Sequence, residues 1–262
     1  MQVEHRLTDI KDGAFVPNPT SGSGLPEIEA YFAAGVATTP TFMERLRATA
    51  HRALTDRGAG VRSALLFPYG DVERSLLKQL REVGRDMRLR GARIAGSIGG
   101  SRMIEALESM GGIRSSARVV FIGHSAGGVA AVHAADMLMS RAGDRGRTPL
   151  VVMIGSPRCR IPERLRDSVL YVYAEKLSVR GAAAKLADPI TRLGTFGGWR
   201  AGKLFLPRWC KDKHGPQHRQ GMRMIGKHPD YFREEPPYVN ALGLSNLSLT
   251  MDIVFRWLDE RL

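Results

Sequence analysis

The chain has 262 residues, of which 43% are hydrophobic and 25% charged, an ordinary globular composition that suits one α/β domain with a large core. No apolar run approaches the ~18 residues a membrane span needs, and the opening MQVEHRLTDIKDGAF lacks the apolar core of a secretory signal, so a cytoplasmic location is expected. The net charge of +13 suits an anionic contact such as a phospholipid surface, although the basic residues are spread along the chain and form no single block.

Residues 1–26, with Pro17, Pro19, Pro26 and the run TSGSG, read as an irregular lead-in. The rest, residues 27–262, reads as one domain. Residues 28–34 form the first strand, and GVATTP at 35–40 leads into a helix over 41–56. VRSALLF at 61–67 is a second strand. Asp71 is placed to cap a helix over 72–89, with Leu76, Leu77, Leu80, Val83 and Met87 at helical spacing. The glycine-rich break GSIGG at 96–100 precedes a helix over 101–110. It lacks the lysine of a phosphate loop and follows no strand directly.

Next comes RVVFIGHSAGGVAAVHAA at 118–135: an apolar strand over 119–122, a turn through Gly123, His124, Ser125, Ala126 and Gly127, and a small-residue helix from Gly128. A serine at the tip of such a strand-to-helix turn is forced into a strained conformation that exposes its hydroxyl. A side chain two residues before or after it would strike the facing strand or helix. Strands follow at 149–154 and 169–174, and a closing helix over 245–262 puts Leu247, Met251, Val254, Trp257 and Leu258 on one face. Strands alternating with helices at this spacing predict a mostly parallel sheet covered on both faces. Cys159 and Cys210 form no framework of spaced pairs and read as free thiols.

A serine alcohol needs an imidazole base, itself oriented by a carboxylate. His228 lies on a turn ahead of the closing helix and is the preferred base. His214 and His218 belong to the polar segment KDKHGPQHRQ, which reads as a solvated loop, and Gly215 and Pro216 between them argue against a metal-binding helical face. Two acids compete: Asp188, on an Asp-Pro turn, is preferred, and Glu175, at the end of the fifth strand, is the alternative. His124 is expected to pack behind the site. The oxyanion donors are expected to be the backbone N–H of Ala126 and that of Val36 or Ala37, with Tyr69 and Gly70 in reserve. In the stretch 194–225, a candidate cap or loop insertion, Phe196, Trp199, Phe205, Leu206 and Trp209 interleave with basic residues. They read first as anchors into the core and second as a lipid-facing surface.

These residues resemble the lipase and esterase branch of the α/β-hydrolase superfamily, in particular class 3 lipases. GVATTP at 35–40 is similar to the family's oxyanion loop, with Ala34 where histidine is common. GHSAGG at 123–128 matches its nucleophile elbow, GSPR at 155–158 its following turn, and DPI at 188–190 its acid turn. The resemblance implies an α/β-hydrolase fold of reduced strand number. It also implies a serine hydrolase acting on a small-molecule or lipid carboxylic ester through an acyl-enzyme, with Ser125, His228 and Asp188 as triad and no metal or organic cofactor. Peripheral contact with an anionic membrane fits the charge; nucleic acid is not the expected partner. Two other classes are compatible with the sequence: a non-catalytic binding protein on this fold, and a basic adaptor.

Overall fold

A computed structural model describes residues 26–143, 147–175, 188–202 and 206–262. Residues 1–25 of the lead-in, and Phe205 in the aromatic stretch, lie outside the described residues. Six strands form one parallel sheet: β1 (Glu27–Ala33), β2 (Gly60–Leu66), β3 (Arg118–His124), β4 (Leu150–Ile154), β5 (Val169–Ala174) and β8 (His218–Met222), in the order β2-β1-β3-β4-β5-β8. This is the reduced parallel sheet expected of an α/β-hydrolase-like fold.

The central strands are mostly apolar because both faces are covered, and the buried Glu29 of β1 is paired with Arg62 and Arg114. On one face α1 (Pro40–Asp56) and α5 (Asn246–Asp259) bury Leu46, Ala50, Leu247 and Val254 against Ile28, Ile122 and Val152. On the other, α2 (Leu76–Asp86), α3 (Ile98–Ser109) and α4 (Ala126–Ala142) cover Tyr31, Phe121 and Met153 with Val83, Met103, Leu107 and Val129. Pro40 opens α1, where a missing N–H leaves nothing unpaired. Ser245 caps α5 by accepting the Ser248 N–H.

The structure departs from the sequence reading in five places. The helix expected from residue 72 begins at Leu76, because Asp71 takes the Glu73 N–H in a local turn and Ser75 becomes the flanking residue. Its leucines face outward: Leu76, Leu77 and Leu80 are 49%, 70% and 49% exposed, while Gln79, Val83 and Asp86 are buried. Hydrogen bonding sets this rotation, since the buried Gln79 and Asp86 side chains accept backbone N–H groups of neighbouring segments. The glycine-rich break is partly helix, for Ser97 caps α3 and the Gly99 and Gly100 positions pass against Tyr69 and His133 with no room for a side chain.

The remaining two concern residues 194–225. Residues 218–222 are the sixth sheet strand rather than loop or insertion, pairing with β5. Residues before them make a separate antiparallel hairpin, β6 (Gly198–Ala201) and β7 (Pro207–Cys210). Phe196 is buried, but Trp199, Leu206 and Trp209 are exposed, the two indoles meeting edge to face at 5.3 Å across the hairpin. They anchor to each other and not to the core. Cys159 and Cys210 are free thiols. Among the described residues no helix is long and apolar enough to cross a membrane.

Candidate functional site

All six strands run parallel, so the loops that leave their C-terminal ends converge on one edge of the sheet, where such folds bind ligands. Ser125 follows β3 and sits at φ 54°, ψ −131°, a conformation that L residues rarely adopt. Such strain costs about 1–3 kcal/mol and persists only where the surroundings over-determine it. Here they do. The Ser125 N–H donates to Ile154 O on β4 (3.0 Å), and α4 begins directly behind with Gly128 N bonded to Ser125 O (3.1 Å). A side chain at Gly127 would put its Cβ 2.0 Å from Ala33 O, and one at Gly123 would lie 2.4 Å from Gly128 N, so neighbouring backbone closes both places.

Asp188 is 2% exposed and accepts three hydrogen bonds: the Ile190 N–H on Oδ1 (2.9 Å), with His228 Nδ1 (3.0 Å) and the Tyr231 hydroxyl (2.9 Å) on Oδ2. Gly155, at φ 57° after β4, lets this group close in, since a Cβ there would lie 2.6 Å from the Tyr231 ring and 3.0 Å from Asp188 Oδ2. A carboxylate accepts, so His228 carries its proton on Nδ1, and Nε2 keeps a lone pair free to take another. Glu175 goes elsewhere: its side chain lies over Gly221 of β8 and pairs loosely with Arg223 (3.5 Å). Of the two acids, the structure brings Asp188 to His228.

Ser125 Oγ is not hydrogen-bonded to the His228 ring. The two residues are linked through His124, whose ring stacks on His228 with centroids 4.8 Å apart and whose Nε2 donates to His228 O (3.2 Å). Phe42, Tyr231 and Phe232 complete an aromatic cage around His124. Burial first, and then the neighbouring His228, push His124 down to about 3, so it is neutral at physiological pH and acts as a fixed donor. Burial, with the nearby Asp188 carboxylate, raises the Tyr231 phenol well above its usual range, which keeps it a donor as well.

On the other side of the serine, Gly35 touches it: a Cβ on Gly35 would fall 2.7 Å from Ser125 Cβ. Val36 follows Gly35 in the loop at 35–40 and Ala126 follows Ser125 in the chain, and among the described residues neither backbone N–H has an acceptor. The Ala37 N–H is engaged by Gln79 Oε1 (2.9 Å), and the Gly70 N–H by Phe67 O (2.9 Å). Tyr69, held in reserve with Gly70, is fully buried and gives its hydroxyl to Asp86.

Sequence reasoning missed Tyr231 and Gln79. Tyr231 stands three residues after His228, and only the fold reveals that its hydroxyl reaches Asp188. A second serine, histidine and aspartate also meet in space. Ser97 Oγ donates to Asp86 Oδ2 (2.8 Å) and receives His133 Nδ1–H (2.9 Å). Its order is wrong for nucleophilic catalysis, because serine stands between the acid and the imidazole, and all three residues are buried. It joins α2, α3 and α4. His218 Nε2 lies 3.0 Å from Asp167, and the described residues contain no group of three or more histidine, cysteine or acidic side chains placed to hold an ion. A cleft of about 920 Å³ lined by Ile94, Met137, Arg160 and His214 shares no residue with the Ser125 site.

The class 3 lipase family model matches residues 98–193, a stretch that carries the elbow and Asp188 but neither the loop at 35–40 nor His228. Solved structures with overlapping outlines include a dienelactone hydrolase-like promiscuous phosphotriesterase from metagenomic libraries (14% identity, TM-score 0.47, covering 92% of this chain and 89% of that one). A Trichoderma reesei cutinase in complex with a phosphonate inhibitor aligns at 14% identity and TM-score 0.29, over 55% of this chain and 59% of that one. An acetyl xylan esterase aligns at 12% identity and TM-score 0.34, over 90% and 98%. No curated protein sequence matches the chain.

Proposed function

We propose that this chain is a lipase-like α/β-hydrolase that cleaves carboxylic esters through an acyl-enzyme. The observation that carries the reading is the pairing of a serine held at positive φ on a strand-to-helix turn with a histidine whose Nδ1 is bonded to a buried carboxylate at the same sheet edge. In this reading Ser125 attacks the ester carbonyl as His228 Nε2 takes its proton. Asp188 holds the imidazole in the required tautomer and stabilises the imidazolium. The tetrahedral oxyanion forms between the Val36 and Ala126 N–H groups, and the field of the α4 N-terminus adds to them. His228 then returns the proton to the departing alcohol, and water repeats the sequence on the acyl-serine. In this reading the Ser125 Oγ to Nε2 hydrogen bond forms when substrate binds, as catalytic hydrogen bonds tighten in the Michaelis complex.

The substrate we propose is a small or lipid ester presented at an anionic surface. Val72, Leu76, Leu77 and Leu80 stand exposed on and beside α2, with Lys78, Arg81 and Arg85 on the same short helix. An apolar stripe with basic neighbours suits a phospholipid headgroup layer.

A fluorophosphonate probe tests the mechanism without knowledge of the substrate. Wild-type protein is expected to label at Ser125, and Ser125→Ala and His228→Ala are expected not to. A wild-type chain that stays unlabelled would leave the non-catalytic binding protein as the better reading.

A further inference from the structure

The outward leucines of α2 leave its inward face to a glutamine. Gln79 is fully buried, and all its amide positions are engaged: Nε2 donates to Asp71 O (2.7 Å) and Arg74 O (2.8 Å), and Oε1 accepts the Ala37 N–H (2.9 Å). These contacts fix its rotamer, so the acceptor presented to Ala37 stays in place. Ala37 needs it. Its φ of 49° is left-handed, which costs an L residue about 1–2 kcal/mol. The peptide joining residues 36 and 37 is held at both ends, its carbonyl by the Thr38 hydroxyl (3.2 Å) and its N–H by Gln79.

This arrangement decides which N–H of the loop is available to a developing negative charge. The Ala37 N–H is turned toward α2, whereas the Val36 N–H, next to the glycine that touches Ser125, has no acceptor among the described residues. We infer that Gln79 is a positioning residue for the oxyanion hole: it holds Ala37 left-handed so that Val36, and not Ala37, donates to the oxyanion. The inference rests on the serine-hydrolase reading. It also links the loop beside the nucleophile to the helix that carries the exposed leucines.

Gln79→Met keeps the side-chain length and removes the acceptor. With a soluble short-chain p-nitrophenyl ester, kcat is expected to fall about 10- to 100-fold while KM stays within about threefold, because a misplaced oxyanion donor harms the transition state rather than the ground state. Affinity for an alkyl boronic acid, which forms a tetrahedral adduct on the serine, is expected to fall by the same factor, and affinity for the carboxylate product is not. A purely structural role would lower the melting temperature without separating these affinities. Equal kcat and boronate affinity in Gln79→Met and wild type, with wild type labelled by fluorophosphonate, overturns the role of Gln79 alone. An unlabelled, inactive wild type overturns the hydrolase reading and this inference with it. Should Gln79→Met fail to fold, amide exchange in wild type decides: boronate is expected to slow exchange at Val36 and Ala126 and leave Ala37 unchanged. Slowing at Ala37 instead of Val36 overturns it.

Discussion

Tyr231→Phe isolates the hydrogen bonding around Asp188. The hydroxyl donates to Asp188 Oδ2 (2.9 Å) and accepts the Ala174 N–H at the end of β5 (2.9 Å), and the residue is fully buried. Its loss removes a bond to a carboxylate, worth about 1.5–3 kcal/mol, and leaves a backbone N–H without a partner at about 1–3 kcal/mol. Relaxation offsets part of this, so a net destabilisation of about 2–4 kcal/mol is expected. At ~2–4 °C per kcal/mol for a chain of this size, the melting temperature drops by roughly 5–15 °C. Activity falls too, because the oxygen that orients His228 loses its second anchor; kcat is expected to drop about tenfold as the imidazole samples unproductive orientations. The assay pairs thermal unfolding with initial rates on a soluble ester well below the melting temperature. Tyr171→Phe is the control: its buried hydroxyl donates to Ser156 O (2.8 Å) and Thr191 O (3.2 Å) and touches no carboxylate. It should lose stability and keep kcat. A Tyr231→Phe variant that melts within a degree of wild type at unchanged kcat would refute the reasoning, as would equal loss of activity in the control.

Exchanging the acids separates Asp188 from Glu175. Asp188→Asn is expected to reduce kcat by about 10⁴ through the wrong histidine tautomer, whereas Glu175→Gln, which breaks only a half-exposed pair with Arg223, should change it less than twofold. Gly127→Ala is expected to abolish labelling of Ser125 or prevent folding, since the new Cβ would overlap Ala33 O at 2.0 Å; full activity would mean the elbow is not packed as described. Buried histidines make the fold acid-sensitive. Burial holds His133 down at about 4 and His124 at about 3, while in the unfolded chain both protonate near 6.5. Between those values the unfolded state binds more protons, so stability is level above pH ~6.5 and falls as pH drops toward 4. His133→Asn, which keeps a donor to Ser97, should reduce that fall by about 2–3 kcal/mol in urea titrations at pH 7.5 and 4.5; an unaltered pH dependence counts against the buried neutral assignment. Finally, Leu76, Leu77 and Leu80 changed together to serine should weaken binding to phosphatidylglycerol vesicles while leaving soluble-ester turnover intact, and undiminished vesicle binding would place any lipid contact elsewhere.

What was legible in the sequence is what local chemistry dictates. Apolar runs at 28–34, 61–67 and 169–174 became strands within a residue or two because both faces of the sheet are covered, and such runs need no partner to be recognised. The elbow was readable because every strand-to-helix turn of this kind makes the same steric demand: Gly123 meets Gly128 within the turn, and Gly127 meets Ala33 on the neighbouring strand β1. The long-range facts were not readable. Asp188 and Glu175 are both acids beyond the fifth strand, and only the packing of Gly155 against Tyr231 and Asp188 brings one of them to His228. The strand at 218–222 looked like loop because an edge strand half exposed to water can be polar, HRQGM included. Helical spacing in α2 identified an apolar stripe correctly but not the side it faces. That was decided by the backbone N–H groups of Ala37, Ile98 and Gly99, whose bonds to the Gln79 and Asp86 acceptors outweigh burial of three leucines. Periodicity specifies a stripe; which way it turns depends on the hydrogen-bonding needs of segments distant in sequence, and those exist only once the chain has folded.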